Sequence, residues 1–150
     1  MNAFFAFLHH VAAFALVAAI AVELVLIRDD LTARRARSLQ VADAVVGSAA
    51  GIVLVAGLLR VIYFEKGAEY YLHSAPFIGK IALFVLVALA SIYPTLEFLS
   101  WSKSLKQGHA PSVSPAKMRV IRAIIHWELA GVVLLILCAV LMARGVGHLG

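Results

Sequence analysis

Residues 41–64, VADAVVGSAAGIVLVAGLLRVIYF, form an apolar run whose only basic residue is an arginine near its end. An α-helix rises 1.5 Å per residue, so a run of this length crosses a hydrocarbon layer about 30 Å thick. Inside lipid, a segment that is not part of a closed barrel satisfies its backbone hydrogen bonds only as a helix. The run therefore predicts a transmembrane helix.

Three further apolar runs of similar length accompany this one, the first before it and two after it. The first run has no positive charge at its start and is too long for a signal peptide, so we expect it to be retained. Ser114 and Pro115, ahead of the last run, are typical of an N-cap and a first helical position. The predicted helices cover residues 3–27, 41–64, 76–99 and 115–144.

The composition excludes a soluble globular enzyme. Hydrophobic residues make up 63% of the chain and charged residues 14%, whereas charged residues are about a quarter of an ordinary soluble domain. The connections between the runs are short, so neighbouring helices should be antiparallel. The sequence therefore predicts an all-α membrane protein, a single domain of residues 1–150 folded as an up-down-up-down bundle of four transmembrane helices.

Basic residues are concentrated in the first and third connections, whereas the second connection has one lysine against two acids. The positive-inside rule then predicts that connections one and three face the cytoplasm and that both termini lie outside. The net charge of +5 thus reflects topology in a bacterial inner membrane rather than nucleic-acid binding. The basic residues concerned are Arg28, Arg34, Arg35, Arg37, Lys103, Lys106, Lys117, Arg119 and Arg122.

Four ionisable residues fall at similar depth in the outer half of the predicted bundle. Arg60 lies one turn inside helix two and Lys80 one turn inside helix three, while His9 and His10 lie about two turns inside helix one. A cation at the bilayer centre costs about 2.5–3.5 kcal/mol and less near the ends. Two interpretations are open: the cations hold an anionic ligand at the outer mouth, or they extend to the lipid headgroups.

Haem b is a ligand that fits an imidazole beside two cations. His10, or alternatively His9, would bind the iron, and Arg60 and Lys80 would pair with the propionates. The first helix is apolar all round, so its pattern does not decide between the two histidines. Tyr63 adds a hydroxyl to this predicted site or joins Tyr70 and Tyr71 in an aromatic belt at the membrane surface.

A second group of ionisable residues lies in the inner half: Glu23, Glu97, His126 and Glu128. We expect hydrogen bonds between helices here, with a proton relay or a second cofactor as the alternative, because acids within a membrane usually mark function. His126 is the candidate second iron ligand. Its depth differs from that of His10 by about 10 Å along the membrane normal, so a single histidine ligand is the alternative.

Small residues occur at close spacing in helix two, in the segment GSAAG at residues 47–51. Small residues four apart let another helix approach closely. We expect this segment to pack inside the bundle, and the alternative is an interface of a homo-oligomer or a larger membrane complex.

The segment from Arg60 to Trp101 contains a distinctive set of residues: Arg60, Phe64, Lys66-Gly67, Tyr70-Tyr71, Phe77, Lys80, Pro94-Thr95 and Trp101. By these residues the chain resembles a bacterial membrane family filed as domain of unknown function 2214, over nearly its whole length. Its layout is also similar to the small four-helix haem-b protoporphyrinogen oxidases. That second resemblance implies that His10 or His9 binds iron and that Arg60 and Lys80 lie near the porphyrin.

Two functional hypotheses follow. In the first, the protein is a b-type haem protein that transfers electrons or oxidises a quinone or porphyrin-like substrate. In the second, it is an accessory or transport protein without a cofactor, whose outer cations bind an anionic lipid or solute. The first hypothesis predicts a visible chromophore that depends on a first-helix histidine, and the second predicts a colourless protein.

Overall fold

The computed structural model describes residues 2–28, 30–64, 73 and 75–144, and the regular elements in these residues are all helical. Four helices are long and apolar enough to cross a membrane, so the predicted all-α four-helix membrane fold is confirmed. The elements are α1 (Asn2–Leu26), α2 (Ala33–Leu59), a π-helical turn (Arg60–Phe64), α3 (Ala75–Ser100), α4 (Ser102–Lys106) and α5 (Pro115–Ala143).

The four long helices pack in a ring. α1 packs most extensively against α2 and α3 against α5, while α1–α5 and α2–α3 contacts close the ring. Each long helix therefore contacts its two neighbours in the up-down-up-down order that the short connections predict. We call the outer end of the bundle the end that contains the start of α1, the π-helical turn, the start of α3 and the end of α5. The opposite end is the inner end.

Large apolar side chains cover the outside of the bundle. Phe14 and Trp127, for example, are each 75% exposed in the isolated chain. A soluble monomer rarely presents contiguous apolar surface of this extent. Together with the length and hydropathy of the helices, this surface makes the protein a multi-pass membrane protein whose outer faces contact lipid.

The second long helix starts at Ala33, eight residues before the predicted start at residue 41. Thr32 caps it, because its side-chain oxygen accepts a hydrogen bond from the Arg35 backbone N–H at 3.2 Å. The residues between this cap and the apolar run are mostly good helix formers, and two of them, Ala36 and Leu39, are fully buried. Hydropathy marks only the part of the helix in lipid, so it missed these first two turns.

The inner end of the bundle is closed by side chains that tie α4 to α2. The rings of Phe98 and Trp101 lie 4.9 Å apart. Gln40 Nε2 donates to the Phe98 carbonyl at 2.6 Å, and Arg37 Nη2 donates to the Leu105 carbonyl at 2.8 Å. The connection after α3 is therefore held against the start of α2.

Burial is unequal along the bundle. The buried residues of α3 are Pro94 and Phe98, both near its inner end, and those of α2 lie between Ala36 and Ala49 apart from Ala56. The described side chains thus pack densely at the inner end and leave space between the helices at the outer end.

Glycines permit close packing of helices at one level of the bundle and leave an open surface at another. A β-carbon at Gly131 of α5 would overlap the Val87 side chain, so α3 and α5 approach closely at this level. A β-carbon at Gly47 or Gly51 would meet no atom within 4 Å, and both residues are exposed. The prediction that GSAAG packs inside the bundle is therefore wrong for its glycines, although Ala49 between them is buried.

Candidate ligand cavity at the outer end

A cavity of about 300 Å³ lies between the four long helices at the outer end. Its lining includes His9 and His10 from α1, Arg60 at the end of α2 and Lys80 from α3, so the structure brings these four predicted site residues together. The rest of the wall is apolar. It is formed by Val53, Leu54, Gly57, Leu58, Val61, Phe77, Ile81, Phe84, Ala139, Met142 and Ala143.

His9 is held by a hydrogen bond to the neighbouring helix. Its Nδ1 lies 3.0 Å from the Val53 carbonyl oxygen of α2. A carbonyl only accepts, so Nδ1 carries the hydrogen and Nε2 keeps its lone pair. The ring also lies against Gly57, where a β-carbon would come within 3.2 Å of His9 Cε1. The absence of a side chain at Gly57 therefore gives the ring its place.

His10 presents its ring differently. Its Nδ1 lies 2.6 Å from the Ala6 carbonyl of its own helix, and the side chain is exposed. In a neutral imidazole the same hydrogen bond leaves Nε2 of His10 as the acceptor. The two imidazole rings are 5.9 Å apart and nearly perpendicular. The sequence did not decide which histidine faces the bundle, and the structure shows that both reach the cavity, with His9 the more buried and the one fixed by another helix.

Arg60 begins the π-helical turn that ends α2. Its backbone N–H is shared between the carbonyls of Ala56 and Gly57. A π-helical turn is rare and often occurs at functional sites, because it changes the direction in which the following side chains point. The turn thus lies directly beside the cavity that Arg60 lines.

Two predicted site residues do not line this cavity. Tyr63 is 72% exposed, at the surface of the bundle, and Tyr70 and Tyr71 lie outside the described residues. His126 is exposed, with its Nδ1 bonded to the Arg122 carbonyl at 2.7 Å. Its position on α5 is closer to the inner end, as the depth difference predicts. We therefore retain only the α1 histidines as candidate iron ligands.

The predicted inner group of acids separates into two. Glu97 lies at the inner end, where Lys117 Nζ donates to its Oε2 at 3.0 Å and Trp101 Nε1 donates to its Oε1 at 3.3 Å. Glu23 and Glu128 instead lie in the interior, each with 2% of its surface exposed. The expected hydrogen bonds between helices are therefore present at Glu97 and, through Ser91, at Glu128.

Asp43 joins Glu23 and Glu128 in the interior, and the sequence analysis missed it. Thr95 Oγ1 of α3 donates to Asp43 Oδ1 at 2.7 Å, and a Ser91 hydroxyl bonds the Glu128 carboxyl. Asp43 is the only acidic residue in the apolar run 41–64. An isolated acid in such a run usually marks a polar interior position, and that pattern was sufficient to find it.

No group of three or more His, Cys, Asp and Glu side chains suited to a metal ion occurs among the residues that the structure describes. A haem iron needs only one or two protein ligands, so this result bears on bare metal ions. The outer cavity combines imidazole nitrogens and two cations with an apolar wall. Such a lining is chemically complementary to an amphipathic anion or to a macrocycle whose metal binds imidazole.

The fold defines a four-helix, multi-pass membrane protein with two polar regions, the outer cavity and the interior group of acids. The chain belongs to the family described as "Predicted membrane protein (DUF2214)", whose model matches residues 1–147. No curated protein and no solved structure matches the chain.

Proposed function

We propose that the outer cavity binds haem b and that the protein serves electron transfer or a related oxidation in the bacterial inner membrane. The observation that carries this proposal is the convergence of His9, His10, Arg60 and Lys80 on one cavity. These residues come from three helices and, apart from the neighbours His9 and His10, are far apart in the sequence. Groups that are costly in a membrane rarely meet unless they serve a ligand.

The donor groups present fit a haem. Imidazole Nε2 is the usual ligand of a b-type iron, and a ligating histidine typically donates its other nitrogen to a carbonyl. The Nδ1–Val53 hydrogen bond gives His9 this arrangement. A cavity of about 300 Å³ is at the lower end for ligand pockets, so a macrocycle binds there only if part of it extends beyond the enclosed space.

The chain's own residues would fix position and polarity. Arg60 offers a planar fork that matches a carboxylate, and Lys80 offers a point charge. Phe77 and Phe84 line the apolar part of the wall and would keep water from the bound group. A haem supplies one-electron chemistry whose potential depends on the axial ligand and on the polarity around it. A quinone or porphyrin-like molecule in the membrane is the partner substrate we propose.

An absorbance spectrum of the detergent-purified protein, oxidised and then reduced with dithionite, tests the proposal. We expect a Soret band that shifts on reduction and is lost or displaced in His9→Ala. His126→Ala is the matched control, because His126 is outside the cavity, and it should leave the band unchanged. A featureless spectrum after haem supplementation during expression would contradict the proposal.

A second candidate function rests on the cavity's size and charge. Two cations over an apolar wall of modest volume also suit one anionic headgroup with its acyl chain, in an accessory or transport protein without a cofactor. In that case Arg60→Gln and Lys80→Gln would lower the amount of anionic lipid that mass spectrometry detects in the purified protein. His9→Ala would have little effect, which is the reverse of the haem expectation.

A further inference from the structure

We propose that Glu23, with Asp43 and Glu128 beside it, forms a proton-binding site in the interior of the bundle. The site is separate from the outer cavity: Glu23 is fourteen residues, about 21 Å of helix, from His9. The inference therefore does not depend on whether haem binds.

The three carboxyl groups come from three different helices and all lie in the interior of the bundle. Glu23 belongs to α1, Asp43 to α2 and Glu128 to α5, and all three are buried. Glu23 interacts electrostatically with both other carboxyls, and Asp43 interacts with Glu128. The fourth long helix, α3, contributes the hydroxyl groups that bond Asp43 and Glu128.

Two oxygens of this cluster, Glu23 Oε1 and Glu128 Oε1, are buried and have no hydrogen-bond partner among the residues that the structure describes. A buried acceptor without a donor costs about 1–3 kcal/mol, and more if it is charged. A proton on one carboxyl oxygen turns that oxygen from an acceptor into a donor. An unprotonated carboxyl oxygen nearby can then accept the hydrogen bond. No donor in the described part of the chain reaches these two oxygens, so a proton bound to the cluster would supply the hydrogen that they lack.

No described cation neutralises the cluster. Arg37 and Arg122, each six residues before an acid of the cluster on the same helix, donate to the carbonyls of Leu105 and Ile27. His126 is exposed and bonded to its own helix. Lys117 pairs with Glu97.

Three carboxylates without a counter-charge in a low-dielectric interior carry a large desolvation cost. Protons remove that cost. A metal ion would remove it too, but within the described part of the chain no three acids are arranged to hold one. The geometry therefore favours the proton over a metal cation.

Infrared spectroscopy of the full-length protein in lipid vesicles tests the proposal directly. We expect a carbonyl-stretch band of protonated carboxyl groups that shifts in D2O and decreases as the pH rises. Glu23→Gln should remove part of the band, and Glu23→Gln combined with Asp43→Asn should remove most of it. Glu97→Gln is the control, because Glu97 is an acid of the same bundle with a cationic partner, and it should leave the band unchanged.

The wild-type titration keeps the proposal falsifiable even where a variant fails to fold. Absence of the band throughout the pH range in which the protein stays folded would overturn the proposal. So would a band that Glu23→Gln leaves intact. Loss of the band on adding sodium at constant pH would assign the cluster to a monovalent cation instead.

Discussion

The His9 ring of α1 lies against Gly57 of α2, so closely that a β-carbon at residue 57 would come within 3.2 Å of Cε1 and 3.4 Å of Nδ1. This contact holds the ring where its Nδ1 reaches the Val53 carbonyl. Gly57 therefore sets the orientation of the His9 ring, the candidate iron ligand. Sequence pattern alone does not reveal the pairing, because Gly57 is one of several small residues in α2.

We expect Gly57→Ala to displace the His9 ring by a few tenths of an ångström and to weaken ligand binding in the outer cavity. Titration of the ligand-depleted protein with hemin, followed by absorbance, measures the effect. Gly51→Ala is the matched control on the same helix, because its β-carbon would meet nothing within 4 Å. Equal hemin affinity in the two variants would show that the Gly57 contact does not position the ring.

Arg60→Gln and Lys80→Gln should each weaken binding of an anionic ligand. A hydrogen bond to a charged group contributes about 1.5–3 kcal/mol, which corresponds to a loss of about tenfold or more in affinity. Hemin titration measures this loss, and Arg34→Gln, an exposed arginine near the inner end, should have no effect. Unchanged hemin affinity in both cavity variants would mean that the Arg60 and Lys80 side chains only extend to the lipid headgroups.

Gly131→Ala should destabilise the packing of α3 against α5. The added methyl would overlap the Val87 side chain, which is β-branched and has little freedom to move. Overpacking of this kind costs about 1–3 kcal/mol, measured by unfolding in detergent followed by circular dichroism. Val87→Ala in the same chain should restore part of the loss, whereas Gly79→Ala should have little effect because no atom of the described residues lies within 4 Å of its β-carbon.

Thr95→Val should destabilise the protein by about 1–3 kcal/mol, because it removes a donor from the buried Asp43 carboxyl at nearly constant volume. Unfolding in detergent again measures the change. Ser100→Ala is the comparison: that hydroxyl is exposed and bonds the Glu97 carbonyl of its own helix, so a change within about 0.5 kcal/mol is expected. Equal losses in the two variants would show that burial of Asp43 adds nothing to the bond.

The outer site was predictable because depth in a membrane follows from residue number. His9, Arg60 and Lys80 each interrupt an apolar run near its end, and antiparallel helices with a rise of 1.5 Å per residue bring those ends to one level. The rotation of each helix about its own axis could not be predicted in this way. The runs are apolar on every face, so the pattern did not show that Thr95 faces Asp43.

For His126 and Glu128, the spacing in the sequence was enough to predict that the two side chains point in different directions. Residues two apart on a helix point to different sides, and Glu128 is buried while His126 is exposed. The start of α2, by contrast, could not be predicted from the hydropathy pattern. Its first turns are set by the Thr32 cap and by helix propensity, which hydropathy does not measure.

Among the residues that the structure describes, the inner end of the bundle is densely packed and the outer end contains the cavity, and this difference has a consequence for ligand exchange. A molecule bound in the cavity would exchange with the leaflet and solution at the outer end, since the layer of side chains around Phe98 and Trp101 separates the cavity from the inner end. Its occupancy should therefore follow the composition of that one leaflet. In vesicles of asymmetric lipid composition, the same protein would be loaded or empty according to the direction in which it was inserted.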